Sequence, residues 1–434
     1  MKRAQYPDPL RRNLILKQPE VLRFLSYKGS CRPIKLRRIK SLLALYLATF
    51  VLRLGFGQIA LLLPWKLADL GVPIQSLGFI MASNALAEMI AAFPAGFLSD
   101  RFRRKPIIMI GLIGASFSFM LYLHAFSGKM LLFAHATLGI FEAMTISPVL
   151  AAIVDRTAVG QRGQAMGLYN STVTAGYILG PPLAGMMAGR WGRDSPFYLC
   201  SMLALFSLIV VFFLLKEEDF QRRESYDILQ DFIAAIKERR TTLLLLIWVG
   251  ASAILAIGAS FIPVYLRGLG LTIGQVGWSL AVLALILVMS YVIFGRISEI
   301  VGKGRMSSFG LAMVSIGAFF IGLGRTGRSM TIGSILIGVG AGSFAPAAMA
   351  LLADLSPEST RGSLMGMYDV VFAFGGFLGP SFAGLVVGKF GFRSLFWLCS
   401  LILITCTVLF LLVLREDAIR SRSMAPPSSQ KREK

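Results

Sequence analysis

Uninterrupted apolar stretches alternate along the chain with short clusters of charge, glycine and proline. The stretches fall at about 41–65, 75–99, 106–126, 130–153, 164–189 and 194–215, then at about 241–266, 274–298, 306–324, 329–353, 363–388 and 394–414. Each comes near the ~20 residues that an α-helix needs to cross a bilayer, and Gly, Pro and charge clusters mark the breaks. The pattern predicts an all-α integral membrane protein with twelve transmembrane helices. It divides into a tail (1–40), a first six-helix bundle (41–215), a charged linker (216–240), a second bundle (241–414) and a C-terminal tail (415–434). The linker reads as short amphipathic pieces such as Asp227 to Lys237. The polar, basic end of the chain reads as disordered. Residues 1–40 show neither the short apolar core nor the small-residue cleavage site of a secretory signal.

The two bundles are copies. Gly176-Tyr177-Ile178-Leu179-Gly180-Pro181-Pro182-Leu183-Ala184-Gly185 returns 199 residues later as Gly375-Gly376-Phe377-Leu378-Gly379-Pro380-Ser381-Phe382-Ala383-Gly384. The same offset links Pro64 to Pro263, Gly71 to Gly270, Gly78 to Gly277, Gly96 to Gly295 and Gly139 to Gly338. It also links Asp155 to Asp354, Arg162-Gly163 to Arg361-Gly362, Gly192 to Gly391, and Cys200-Ser201 to Cys399-Ser400. One offset held over six helices is a repeat signal. Six helices per copy give both copies the same orientation, a parallel repeat. Proline in a helix removes a donor and bends it, and glycines four apart open a groove for another backbone. Gly176, Gly180, Pro181 and Gly185, with Gly375, Gly379, Pro380 and Gly384, therefore read as paired hinges on helices 5 and 11.

Composition agrees with the membrane reading and narrows its orientation. Hydrophobic residues make up 56% of the 434 and charged residues only 15%, where a soluble domain carries about a quarter charged. The formal net charge of +22 invites a nucleic-acid partner until the basic residues are placed. With a cytoplasmic N-terminus, 33 of the 44 Lys and Arg lie on that side and 9 on the other; without the tails the division is 15 to 9. That asymmetry is what orients a membrane protein, so both termini are expected in the cytoplasm of a cell (plasma or inner) membrane and no nucleic acid is implied. The basic tails would lie near anionic lipid. Cys31, Cys200, Cys399 and Cys406 have neither metal nor disulfide spacing. No GxxxxGK[ST] loop is present, so ATP hydrolysis is not expected. The chain reads as a non-enzyme without metal or cofactor, and as a monomer.

Three elements of the sequence resemble the major facilitator superfamily, and the resemblance covers residues 41–414. Gly96-Phe97-Leu98-Ser99-Asp100-Arg101-Phe102-Arg103-Arg104-Lys105 is similar to that family's loop between helices 2 and 3, G-x-L-x-D-R-x-G-R-K, with Arg103 in place of the usual Gly. Its copy, Gly295 to Lys303, keeps that glycine as Gly302 and has Glu299 for the acid. The Gly-Pro stretch on helix 5 is similar to the motif of the drug/proton antiporter branches. Their helix-4 arginine is His135 here, four residues before Gly139. The resemblance implies two six-helix bundles working by alternating access, with substrate bound between them. It also implies a gating role for Gly96, Asp100, Arg101, Arg104 and Glu299. A carboxylate at this helix end can pair with Arg101 or Arg104, or face a helix N-terminus of the other half, while the cytoplasmic side is closed; the plain alternative is a turn with topology-setting charges. Asp155 with Arg162, and Asp354 with Arg361, form a second candidate set of cytoplasmic contacts.

Ionisable groups at bilayer depth cost about 2.5–3.5 kcal/mol each on insertion scales and face a cavity or a partner. Arg53 on helix 1, Glu88 on helix 2 and Glu142 on helix 4 all fall near mid-depth, and together they sum to minus one. Such a set can hold one carboxylate ionised while the other exchanges a proton; a fixed ion pair beside a protonated acid is the alternative. His135 lies seven residues before Glu142 on nearly the same helix face and reads as a proton relay or a polar rim residue. The counterparts of Arg53, Glu88, His135 and Glu142 are Ser252, Leu287, Ser334 and Ala341, all uncharged. Coupling is therefore expected in the first half and more of the substrate contact in the second. Asp369, whose counterpart is Asn170, is a further candidate. Tyr177, Tyr291, Trp248 and Trp278 can stack on an organic substrate, although membrane aromatics also serve as packing and interfacial anchors.

The function expected is secondary transport of a small organic molecule by alternating access, coupled to protons, with efflux favoured by the helix-5 resemblance. The helix-4 departure favours instead a proton symporter or facilitator for an anionic metabolite, with Arg53 as counter-charge. A third reading of another class is a non-transporting membrane sensor or assembly protein on the same scaffold, suggested by the basic tail.

Overall fold

A computed structural model describes residues 36–157, 162–216, 239–324, 327–354 and 361–423. Most of the basic tail, most of the linker and the last eleven residues lie outside this description. The first half contains α1 (Leu36–Asp69), α2 (Gln75–Phe102), α3 (Arg104–Leu123), α4 (Gly128–Arg156), α5 (Arg162–Trp191) and α6 (Ser195–Leu214). The second contains α7 (Arg239–Gly268), α8 (Ile273–Val301), α9 (Lys303–Leu323) and α10 (Gly327–Asp354), then one helical run, Arg361–Ser423. That run breaks at Gly391, with φ 78°, into α11 (361–390) and α12 (392–423). Twelve helices thus stand among the described residues. Length and apolarity alone single out ten spans, because α11 and α12 run together and α5 is not among them. Gln164, Asn170, Ser171, Thr172, Thr174 and its glycines make α5 the more polar helix.

Two helix ends lie beyond the expected limits. α1 already begins at Leu36, and α12 continues to Ser423 into the stretch read as disordered. Arg415, Glu416 and Ala418 are good helix formers, so the helix continues past its apolar part.

The 199-residue repeat is visible in backbone geometry. Left-handed φ values occur in pairs at that offset: Gly71 (64°) with Gly270 (87°), Arg103 (72°) with Gly302 (103°), and Gly192 (92°) with Gly391 (78°). Each ends one helix and redirects the chain into the next. Packing repeats as well. Ser116 meets Ser201 at 2.7 Å between α3 and α6, and Ser315 meets Ser400 at 3.2 Å between α9 and α12.

The halves touch mainly through α2 against α11 and α5 against α8. These contacts are tightest near the N-termini of α2 and α8 and the C-termini of α5 and α11, on the face opposite the linker. There Gly78 lies against Pro380 and Gly384, and Gly185 against Gly277. On the same face Arg267, at the end of α7, donates to the Pro64 carbonyl at 3.1 Å and lies 5.2 Å from the centre of the Trp65 ring. Towards the linker face, Gly96 on α2, Gly167 on α5 and Gly295 on α8 have open space where a Cβ would stand. Among the described residues, the halves are thus joined at the face opposite the linker.

Candidate functional site: a buried charge cluster in the first half

The Gly-Pro stretch of α5 positions the site by seating α1. A Cβ on Gly176 would lie 2.8 Å from the Arg53 Cβ, and one on Gly180 2.6 Å from the Leu54 carbonyl oxygen. Pro181 has no N–H, so the Tyr177 carbonyl loses its helical donor. Gly57 of α1 fills that place: a Cβ on it would lie 2.9 Å from the Tyr177 oxygen. α5 nevertheless stays helical through Pro181 and Pro182. Gly375 and Gly379 seat α7 in the same way, against Val249 and Ala253, with Ser252 where the first half has Arg53. One groove thus holds a charged helix in one half and a neutral one in the other.

The structure brings Arg53, Glu88 and Glu142 together. Arg53 is 8% exposed and Glu142 fully buried. The Arg53 Nη2 donates to Glu88 Oε1 at 2.8 Å, and Nη1 lies 3.8 Å from Glu142 Oε1. The Arg53 guanidinium also sits 5.5 Å from the centre of the Tyr177 ring, which packs edge-on against Phe56 at 5.4 Å. One cation faces two carboxylates behind an aromatic wall. Protonation of either acid takes the cluster from minus one to neutral.

Two features of the site were not read from the sequence. Asn84 of α2 is buried, and its Nδ2 donates to Glu142 Oε2 at 3.1 Å. Its place one helical turn before Glu88 was the available signal. Tyr122 of α3 pairs through its hydroxyl with Nδ1 of His135. His135 is fully buried, its ring tilted against Phe56 at 5.9 Å, and its Nε2 has no hydrogen-bond partner among the described residues. It joins the cluster only indirectly, through its backbone carbonyl and Asn84.

The candidate gating residues separate. Arg104 pairs with Asp155 at 2.8 Å and lies 3.7 Å from Asp100. These bonds tie α2, α3 and α4 within the first half and do not bridge the two halves. Arg101 is exposed and lies 5.8 Å from the Phe102 ring; Glu299 is exposed as well. The side chains of Arg162, Asp354, Arg361 and Asp369 lie outside the described residues.

Among the aromatic candidates, Trp278 is 67% exposed on the outer surface of α8, as an anchoring residue would be. Trp248 stacks on Phe344 at 4.9 Å and lines a small apolar groove with Leu244, Leu351 and Phe410. Among the described residues no group of His, Cys, Asp and Glu is arranged to hold a metal ion.

The "Major Facilitator Superfamily" family description matches residues 45–289 and 259–432. An uncharacterized MFS-type transporter of Methanocaldococcus jannaschii is 26% identical over 367 residues, 82% of this chain and 94% of that protein. Multidrug resistance protein 2 of Bacillus subtilis is 24% identical over 346 residues, 78% and 86% of the two chains. Quinolone resistance protein NorA of Staphylococcus aureus is 30% identical over 178 residues, 41% of this chain and 46% of that one. In three dimensions the chain is similar to a bacterial homolog of the human lysosomal transporter Spinster, with TM-score 0.77, 17% identity, and coverage of 89% of this chain and 98% of that one. With twelve helices in two repeated bundles and a family match across nearly all of them, the chain belongs to the major facilitator superfamily and is a membrane transporter, not an enzyme.

Proposed function

We propose that the protein is a proton-coupled secondary transporter that exports a small organic molecule by alternating access, with the linker face and both termini in the cytoplasm and the opposite face outside the cell. The observation that carries this reading is the cluster of Arg53, Glu88 and Glu142. Buried charge of this kind is expensive in a bilayer, and the counterparts of these three residues in the other copy of the scaffold, Ser252, Leu287 and Ala341, are uncharged. Two carboxylates sharing one arginine leave the cluster neutral with one proton bound and at minus one without it, so a proton can be taken up and released there. The excess of basic residues on the linker face supports the orientation. The relatives named for multidrug and quinolone resistance support efflux of an organic compound.

In this reading the joined face is the outer one, so the present arrangement is inward-facing. Substrate would enter between the halves from the cytoplasm, and proton release from the cluster would accompany the return. Arg53 is a poor counter-charge for an anionic metabolite, because Glu88 already holds it at 2.8 Å. The chain would act as a monomer, with anionic lipid around its basic ends.

The test is transport of a fluorescent quinolone by purified protein in liposomes under an imposed pH gradient. Glu142→Gln and Glu88→Gln should each abolish the gradient-driven component while leaving the protein folded. Full pH-driven flux in both variants would rule out the cluster as the coupling site.

A further inference from the structure

Like Glu88 and Glu142, Asn84 has an apolar counterpart: the position 199 residues on is Leu283. Its place is set by a glycine. A Cβ on Gly139 would lie 3.1 Å from the Asn84 Cα, so only a bare α4 lets the α2 backbone settle there. Gly139 stands four residues after His135 and three before Glu142. From this seat Asn84 Nδ2 reaches Glu142 Oε2 at 3.1 Å and the His135 carbonyl at 3.4 Å. The second half keeps the glycine, as Gly338, but packs it against the side chains of Leu283 and Ile286. The helix crossing is retained there without the hydrogen bond.

We infer that Asn84 is a positioning residue that governs how readily Glu142 takes up a proton and transmits that state to α2; this rests on the proton-coupling reading above. An N–H donor stabilises a carboxylate over its protonated form, so the bond weakens when Glu142 is protonated. The other charged or titratable groups near Glu142 are Arg53 from α1, Glu88 from α2 and Tyr122 from α3, with Tyr177 of α5 beyond Arg53; the His135 ring on α4 is turned to Tyr122 and Phe56. Asn84 and Glu88 are one helical turn apart, so they lie on one face of α2. They tie that helix to α4 and α1. Six residues before Asn84 is Gly78, where α2 meets α11 at the joined face. Protonation of Glu142 loosens one of these two ties on the very helix that helps close the halves.

The experiment is an infrared titration of the purified full chain in detergent, with the protonated-carboxyl band of Glu142 assigned by its loss in Glu142→Gln. In Asn84→Leu the band should titrate at a pH higher by about one unit, a tenfold change in proton affinity. Asn84→Ser, which keeps a donor, should fall between that variant and the unaltered protein. A band in Asn84→Leu that titrates where the unaltered protein does would overturn the role of Asn84. Should Asn84→Leu not fold, Asn84→Ala removes the donor without added bulk and is read in the same way. If Glu142→Gln removes no titrating band, the proton-coupling reading itself fails, which is a different outcome from an unshifted band.

Discussion

Gly185 of α5 and Gly277 of α8 meet through bare backbone: a Cβ added to either would lie 2.9 Å from the other's Cα. Their counterparts 199 residues away, Gly384 of α11 and Gly78 of α2, make the same contact in the reverse combination. Four glycines therefore hold one face of the molecule closed, two from each half.

Bulk at this contact should open it. Overpacking costs about 1–3 kcal/mol, enough to shift a two-state equilibrium by roughly tenfold or more. Gly185→Val is expected to widen distances across the joined face, measured between spin labels on the ends of α5 and α8, and to reduce transport. Unchanged distances would show that the contact does not hold the face shut.

The same face carries a directional bond. Arg267→Ala removes both the donation to the Pro64 carbonyl and the contact with Trp65. A cation over an aromatic ring contributes about 0.5–2 kcal/mol. Faster labelling of a single cysteine introduced at the end of α1 is the expected result, with Arg267→Lys intermediate.

Removing Arg53 leaves two carboxylates without their cation. Breaking a buried pair from one side costs about 3–5 kcal/mol. Arg53→Met should therefore lower the unfolding temperature markedly in a detergent thermal-denaturation assay. Neutralising the acids as well, in Arg53→Met/Glu88→Gln/Glu142→Gln, should recover most of that loss. Equal instability of the single and triple variants would assign the effect of Arg53 to packing.

At the turn from α2 to α3, Arg103 adopts φ 72° and ψ 153°, a conformation that normally requires glycine. Such strain costs about 1–3 kcal/mol. Arg103→Gly, which restores the residue found at Gly302 in the repeat, should raise thermal stability, net of whatever the arginine side chain contributes. A lower unfolding temperature would mean that its side-chain contacts outweigh the strain.

The two acids near this turn should differ. Asp155 meets Arg104 at 2.8 Å, whereas Asp100 is more exposed and 3.7 Å away. Exposed ion pairs contribute little. Asp155→Asn should alter cysteine accessibility along the linker-face ends of α2 and α4 more than Asp100→Asn does. The reverse order would return the latch to Asp100.

Much of the scaffold was legible because a bilayer leaves few solutions. Backbone groups must be satisfied within each span, so long apolar runs are helices, and their boundaries follow from glycine and charge. The offset from Gly176 to Gly375 disclosed the repeat, and the unmatched charges Arg53, Glu88 and Glu142 marked one half as chemically different. Asn84 escaped notice because a neutral residue in an apolar run carries no charge signal. Its importance depends on Gly139 admitting α2 to the interval between His135 and Glu142. His135 shows the converse: on α4 it shares a face with Glu142, yet Tyr122 and Phe56 receive its ring.

By itself, then, the sequence determined the membrane environment, the twelve-helix count, the internal duplication and the charges Arg53, Glu88 and Glu142 that have no charged counterpart in the second copy. Each depends on composition or on spacing along the chain. Tertiary structure alone decided that Arg53 faces both acids, that the Gly-Pro groove seats α1 and α7, and that Arg104 pairs mainly with Asp155. It also decided which face of the molecule is joined. Those facts depend on the rotation and separation of neighbouring helices, which are set by the backbone approach that small residues permit.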